Sequence, residues 1–449
     1  MKVTQYQTAK DFVLRQYDLE PMGGKMSGAE TVTVSAAPIG TAFRGFGVAI
    51  TGASCYHLAR MDAQERAAFL HDIYSDDGLG LSVARLSVAS SDYSAELYSY
   101  DDVQNDTALA HFSVSRDDDY IVPMIQEALR VRPDMFIFAS PWSPPGWMKT
   151  GGSLCGGCMR EQFIDCYADY LLRFVGEYEK RGIPVAALTA QNEPETTQDG
   201  KMPACLWHPD TEAKFIIALK RRLKAAGKHV EVFLHDHNFS SWQKVLWQLD
   251  EYAELPKACD GVAFHYYSGA VEDMDFVREK YPQLTYHFTE GGPRLYDNYA
   301  TDRCKWGVII SKALKHGCST FTGWNLLLDE VGGPNIGPFS CGGLVTRNSQ
   351  TGALSYSGQY RAFAHFSKYI KPGAAIYDAH LQRQHTAMSD FPGGVRHIEL
   401  LAAQNPDGTH VLTVSNAGTA KLQLQYEKDG SVYYIEALPD SLSTVIFEK

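Results

Sequence analysis

Eight short, almost continuous apolar runs recur between residues 44 and 370, and amphipathic stretches separate them. They are Gly45–Ile50, Ser82–Val88, Met135–Ser140, Val185–Ala190, Val230–Leu234, Gly261–Tyr266, Leu284–Thr289 and Ser319–Trp324. A strand that faces water on one side alternates apolar and polar residues. Near-continuous apolar runs instead read as parallel strands covered on both faces. Helices fit the intervals. One follows Asp62, with Glu65 completing a capping box and Ala68, Phe69 and Ile73 on one face. Another carries Phe163, Tyr167, Leu171 and Phe174 and stops at Gly182. A third starts near Asp210, carries Phe215, Ile216, Leu219 and Leu223, and stops at Gly227. Eight such units predict a (β/α)8 TIM barrel over residues 41–371. The competing open, doubly wound sheet lacks a phosphate-binding glycine fingerprint after the first strand.

After residue 372 the pattern changes. Val395–Leu401, His410–Ser415 and Ser431–Glu436 are short alternating runs punctuated by Pro406-Asp407-Gly408, Asn416-Ala417-Gly418 and Lys428-Asp429-Gly430. Residues 372–449 therefore read as an antiparallel β-sandwich. Residues 1–40, with Thr31–Ser35, read as strands that join it.

Composition narrows the function. The chain of 449 residues carries 41 basic and 53 acidic residues, a formal net charge of -12. That surface argues against a nucleic-acid backbone or an anionic membrane as partner. No apolar run approaches the roughly 20 residues needed to span a bilayer. The start, Met1 to Thr8, has no apolar stretch after Lys2, so no secretory leader is expected. The nine irregularly spaced cysteines read as reduced thiols, and the expected location is cytoplasmic. Cys155-Gly156-Gly157-Cys158 has metal or redox spacing but no second pair, and reads as a glycine-rich loop with two free thiols. The sequence leaves the oligomeric state open.

In a barrel of this kind the chemistry sits where strands end. The fourth run ends in Gln191-Asn192-Glu193-Pro194 and the seventh in Thr289-Glu290-Gly291-Gly292. Two glutamates thus project into one mouth from opposite sides. Paired carboxylates are what glycoside hydrolysis requires: one to protonate the leaving oxygen, the other to attack the anomeric carbon, about 5–5.5 Å apart in a retaining enzyme. Their pKa values must be driven apart. Asn192 is placed to bond a sugar 2-hydroxyl. Trp142, Tyr266, Tyr267 and Trp324 lie at strand ends and offer flat apolar faces to sugar C–H groups. Tyr267 can also hydrogen-bond the attacking carboxylate. His235-Asp236-His237-Asn238 ends the fifth run. A metal there is disfavoured because two histidines on one extended strand only just share a face, and hydrogen-bonding support is the reading taken. His265 likewise reads as a satisfied polar residue.

Gly45-Phe46-Gly47, Ala139–Pro144, Gln191–Pro194, Thr289-Glu290, Gly323–Leu326, Gly332–Asn335 and Ala364–Ile370 together resemble glycoside hydrolase family 30, the glucosylceramidase-like enzymes. The resemblance implies a barrel with a side β-sandwich, retaining chemistry, and neither metal nor cofactor. It implies Glu193 as acid/base and Glu290 as nucleophile. It places Trp142, Asn192, His265, Tyr267 and Trp324 in the subsite for the sugar being released, with Arg85 buried beneath.

One departure stands out. Glucose-cleaving relatives carry an aspartate in a GFGxAxTDA-like stretch, where this chain has Gly52. Losing a charged acceptor for a sugar hydroxyl costs roughly 1.5–3 kcal/mol, so a 6-deoxyhexose or xylose is expected in preference to glucose unless Asp92 substitutes. The leading expectation is an exo-acting retaining β-glycosidase on small β-glycosides or oligosaccharides. An endo-β-glycanase of the same family and a non-catalytic carbohydrate-binding protein are the alternatives.

Overall fold

The computed structural model describes residues 1–382 and 398–448. Eight parallel strands close into a barrel: β1 (Gly45–Ile50), β2 (Val83–Val88), β3 (Phe136–Pro141), β4 (Ala187–Thr189), β5 (Glu231–Asn238), β6 (Gly261–His265), β7 (Thr285–Glu290) and β8 (Cys318–Gly323). Closure is made by β8 on β1, with Thr320 opposite Gly45 and Gly323 opposite Val48. These are the eight apolar runs in their sequence order. The first glycines have a packing reason: a Cβ on Gly47 would stand 2.1 Å from the Val83 carbonyl oxygen of β2.

The three expected helices form with local corrections. Helix Ala63–Tyr74 is capped by Asp62, whose side chain accepts from the Gln64 and Glu65 amides. Its buried face is Phe69, Leu70, Ile73 and Tyr74, whereas Ala68 is exposed. Helix Ile164–Lys180 buries Tyr167, Leu171 and Phe174, and Phe163 sits in the turn before it. Helix Pro209–Ala225 starts on a proline with His208 as its cap. Gly182 and Gly227 take φ of +72° and +67° after the second and third helices, as left-handed helix ends demand.

Of the remaining strands, Leu327–Leu328, Val345–Arg347 and Leu354–Tyr356 form a small three-stranded sheet, and the others form one nine-stranded sheet. Its order is Ser431–Ala437, Leu422–Lys428, Glu30–Val34, Ala375–Leu381, Ile398–Gln404, His410–Asn416, Ser441–Glu448, Lys2–Thr8 and Leu14–Asp18. All neighbours are antiparallel except Leu422–Lys428 against Glu30–Val34. The sheet curls so that Tyr426 and Tyr433 reach Phe447 of its other half, at ring separations of 5.5 and 5.4 Å. A second core of Val3, Leu400, Leu412, Leu424 and Val445 lies between the layers. Strands from both ends of the chain share this sheet, Lys2 pairing opposite Glu448. Of the run expected from Val395, residues 395–397 lie outside the described residues.

The sheet packs on helices Arg303–Lys315 and Gly358–Phe366. The His365 ring is hydrogen-bonded between Thr8 and Thr444 at 2.8 and 3.1 Å. Burial, with the nearby Arg303 charge, pushes its pKa down to about 3. Among the described residues no helix is long and apolar enough to cross a membrane.

Candidate active site

Inward side chains of the barrel form layers because strand side chains alternate. The lower layer is Val83, Phe138, Ala187, Phe233 and Ala263. Two residues further along β2, β3, β4 and β6 stand Arg85, Ser140, Thr189 and His265. β5 breaks the alternation: its pairing with β6 shifts between His235 and His237, and His235 and Asp236 have φ of +83° and +51°. This bulge separates the two histidines. His235 turns to the Asn238 carbonyl and to Glu195, while Asp236 and His237 face the barrel mouth.

Asp236 is the hub of the upper layer. Its Oδ2 accepts from Arg85 at 2.9 Å, Ser140 at 2.8 Å and Thr189 at 2.8 Å. Its Oδ1 accepts from Thr289 at 2.7 Å and from His265 Nε2 at 3.0 Å. Burial penalises this charge, but Arg85 and His265 outweigh the penalty and hold its pKa well below the usual carboxylate range.

The two glutamates converge above this hub. Glu193 follows β4 with φ of +49°, its amide donating to the Asp236 carbonyl at 3.0 Å. A non-glycine residue held in that region is a strained position stabilised by its surroundings. Its Oε1 lies 3.3 Å from His265 Nδ1 and 3.7 Å from His237 Nδ1, and its Oε2 accepts from Gln198 at 2.7 Å. Glu290 ends β7. Arg85 donates to its Oε2, Tyr267 donates to its Oε1 at 2.8 Å, and His265 Nδ1 stands 3.9 Å away. Burial raises the pKa of Glu193, yet the neighbouring His237 and His265 rings prevail and lower it. For His265 burial works downward, but the Glu290 and Asp236 charges dominate and lift it to about 9.

Both glutamates line one cavity of about 370 Å³, together with Trp142, Asn192, Tyr267 and Trp324. Trp142 and Trp324 stack at 5.3 Å and form an aromatic wall, with the Arg85 guanidinium 4.8 Å from the Trp142 ring centre. Asn192 has its side-chain oxygen tied to Arg85 at 2.8 Å, which leaves its amide hydrogens for a ligand. Arg85 and His265 are fully buried and are not part of the lining. For His265 this corrects the expected sugar contact: both ring nitrogens are engaged behind the wall, by Glu193 and Asp236.

Gly52 begins a short helix and is buried, and a Cβ there would stand 3.2 Å from the Ser94 hydroxyl oxygen. Asp92 lines the cavity, buried, with Oδ1 lacking a protein partner among the described residues. Its burial, and then the charges of Glu290 and Glu193, raise its pKa well above the carboxylate range. The glycines after Glu290 serve close approach. A Cβ on Gly292 would meet Trp324 at 2.8 Å, and Trp324 donates to the Gly291 carbonyl.

Sequence reasoning passed over Gln198, Met202, Arg294, Tyr296 and Phe339 of the cavity rim. They come from loops without a recurring pattern. His237, expected as hydrogen-bonding support, stands beside Glu193 and lines the cavity because the bulge turns it inward. Cys155 and Cys158 are free, half-buried thiols outside the cavity.

Comparison with known proteins completes the picture. The model of the glycosyl hydrolase family 30 TIM-barrel domain matches residues 43–370. Putative glucosylceramidase 2 of Caenorhabditis elegans is 31% identical, over 83% of this chain and 74% of its own length. The crystal structure of SrfJ from Salmonella typhimurium superposes with a TM-score of 0.90 at 26% identity, covering 100% of both chains. The endo-beta1,6-glucanase BT3312 gives 0.87 at 26% identity, covering 100% of this chain and 99% of that one. With an eight-stranded barrel, a carboxylate pair at its mouth and a family match spanning the whole barrel, the chain belongs to glycosyl hydrolase family 30 and is a glycoside hydrolase.

Proposed function

We propose that this enzyme is an exo-acting, retaining β-glycosidase for small β-glucosides and β-linked gluco-oligosaccharides. Glu290 attacks the anomeric carbon, and Glu193 protonates the leaving oxygen and then deprotonates water. The carrying observation is that one imidazole nitrogen of His265 reaches both carboxylates, at 3.3 and 3.9 Å. Retaining pairs are spaced about 5–5.5 Å and inverting pairs about 6.5–9.5 Å to admit a water; a shared ring nitrogen supports the closer arrangement. Arg85 and Tyr267 orient the oxygens of Glu290 for in-line attack.

The acid proton is a property of the Glu193–His265 pair, since strongly interacting groups titrate together. In the resting site the histidine holds it. When the leaving oxygen gathers charge, the proton is drawn through Glu193. Consumption of the Glu290 charge in the glycosyl-enzyme removes the largest influence raising the His265 pKa, so His265 stays neutral once the proton has left and the Glu193 carboxylate is free to take one from water in the second step.

Asp92 supports a glycone bearing a full set of hydroxyls, and so glucose over the 6-deoxyhexose or xylose that Gly52 suggested. The names of the similar proteins, glucosylceramidase and endo-beta1,6-glucanase, also refer to glucose units. An endo-acting reading has its own support in the exposed rim of Arg294, Tyr296 and Phe339, which leaves room for further sugar residues. The nine free cysteines support a reducing, cytoplasmic setting.

The test is intact-mass and peptide analysis after incubation with 2-deoxy-2-fluoro glycosides of glucose, xylose and fucose, beside product profiles on β-1,6-linked oligosaccharides. We expect a covalent adduct on Glu290, fastest with the gluco reagent, and single glucose units as first products. An adduct elsewhere would remove the nucleophile assignment. Longer fragments appearing first would establish endo action.

A further inference from the structure

His237 lies beside the acid/base pair without a settled role. It is about nine-tenths buried, lines the cavity, and its Nδ1 has no hydrogen-bond partner although it points to Glu193 Oε1 at 3.7 Å. His265 Nδ1 stands 3.3 Å from the same oxygen. Donor atoms of Glu193, His237 and His265 all lie within 4.8 Å of one another.

Two of these distances approach those of a coordination shell. Zinc bonds of about 2.0–2.1 Å at tetrahedral angles set neighbouring donors about 3.3 Å apart. Two contacts, 3.3 and 3.7 Å, already approach that edge. The support around them fits too. A metal-bound histidine usually gives its other ring N–H to a carboxylate, which fixes the ring. His265 gives Nε2–H to Asp236 at 3.0 Å. Gln198 holds Glu193 Oε2 and leaves Oε1 for the ion. Glu290 and Asp92 add acidic groups on the cavity side.

We propose that Glu193, His237 and His265 form a binding site for a zinc-class divalent ion, which competes with the sugar and acts as a reversible brake rather than as a cofactor. The fourth position opens into the cavity. Occupancy withdraws Glu193 Oε1 and His265 Nδ1 from proton transfer. The blocking of hydrolysis rests on the acid/base reading given above; the binding does not.

The experiment titrates ZnCl2 into the intact protein by calorimetry, with CoCl2 as a visible-absorption reporter and a chromogenic β-glucoside for inhibition. We expect one ion per chain, tetrahedral cobalt bands without a thiolate charge-transfer band, and competitive inhibition. H237Q and E193Q, checked for folding by circular dichroism, each weaken binding at least about tenfold. C155S/C158S leaves it unchanged. Equal zinc affinity in the wild type, H237Q and E193Q, or binding that vanishes in C155S/C158S, would overturn the site. Zinc held at these residues with hydrolysis undiminished would leave the site standing and remove Glu193 as acid/base.

Discussion

The two inward layers of the barrel, two residues apart on β2, β3, β4 and β6 and three apart across the β5 bulge, are built on opposite principles. The lower one is Val83, Phe138, Ala187, Phe233 and Ala263, held by apolar contact. The upper one is Arg85, Ser140, Thr189, Asp236 and His265, equally buried but held by a closed set of hydrogen bonds and ion pairs. Apolar side chains in such a layer are close-packed and stiff, and losing one leaves a cavity but no unpaired group. In a desolvated ion network each member removed leaves another charge unpaired. The lower layer therefore provides a rigid floor, and the upper layer converts that rigidity into fixed carboxylate positions.

Breaking the upper layer at its functional edge has the largest expected effect. Glu290→Gln should bring turnover to background while the circular dichroism spectrum is retained. Glu193→Gln should lower kcat by about 10²–10⁴-fold, least for aryl glycosides with activated leaving groups. Measured hydrolysis that survives Glu290→Gln would remove it as nucleophile.

The two layers separate next in stability. Asp236→Ala leaves Arg85 and His265 facing each other without their shared partner and should destabilise by about 3–5 kcal/mol, with loss of activity. Phe233→Ala should cost a similar amount, about 3–5 kcal/mol, yet the folded fraction should keep its kcat. Urea unfolding beside active-site titration distinguishes them. Equal activity in the two variants would dissolve the distinction drawn here.

A smaller effect distinguishes two buried histidines by sign. His265 has its pKa raised from 6.5 to about 9, so its contribution is complete below pH 6.5 and is lost as pH rises through about 9. His365, at the junction of sheet and barrel, has its pKa lowered from 6.5 to about 3, so its contribution is present above pH 6.5 and is lost as pH falls toward 3. His265→Gln should flatten the alkaline side of a stability–pH curve, and His365→Gln the acid side. The reverse pattern would contradict both environments.

Smallest is the glycone contact. Asp92→Ala should lower kcat/KM on a β-glucoside by about 1 kcal/mol and leave a β-xyloside less affected. An equal loss on both sugars would show that Asp92 does not read the difference between them.

The barrel was legible because its signal is local. Gly45–Ile50 or Gly261–His265 must be apolar on both faces wherever the strand lies, and each run announces this alone. Glu193 and Glu290 were legible by the same logic, as charged residues directly after apolar strands. The strands Leu422–Lys428 and Ser441–Glu448 were not singled out: the first is half-exposed with a mixed sequence, and the second is buried but interleaves Ser441, Ser443 and Thr444 with its apolar residues. The family resemblance placed His265 at the sugar, whereas its own sequence context reads as a satisfied polar residue. Only packing shows that its ring lies behind the glutamates. That Asp92 shares a cavity with Glu193 and Glu290 is likewise a matter of tertiary structure.

The sequence alone determined that eight covered strands would alternate with helices and that two carboxylates would stand at their ends, since burial on both faces and the turn after a strand are properties of a few adjacent residues. The tertiary structure decided which groups meet. The β5 bulge turned Asp236 and His237 inward together, Asp92 reached the cavity, and one imidazole came to serve two glutamates 97 residues apart in the chain. Such meetings depend on the closure of the barrel and on a change of register between strands, and neither is written in any short stretch of residues.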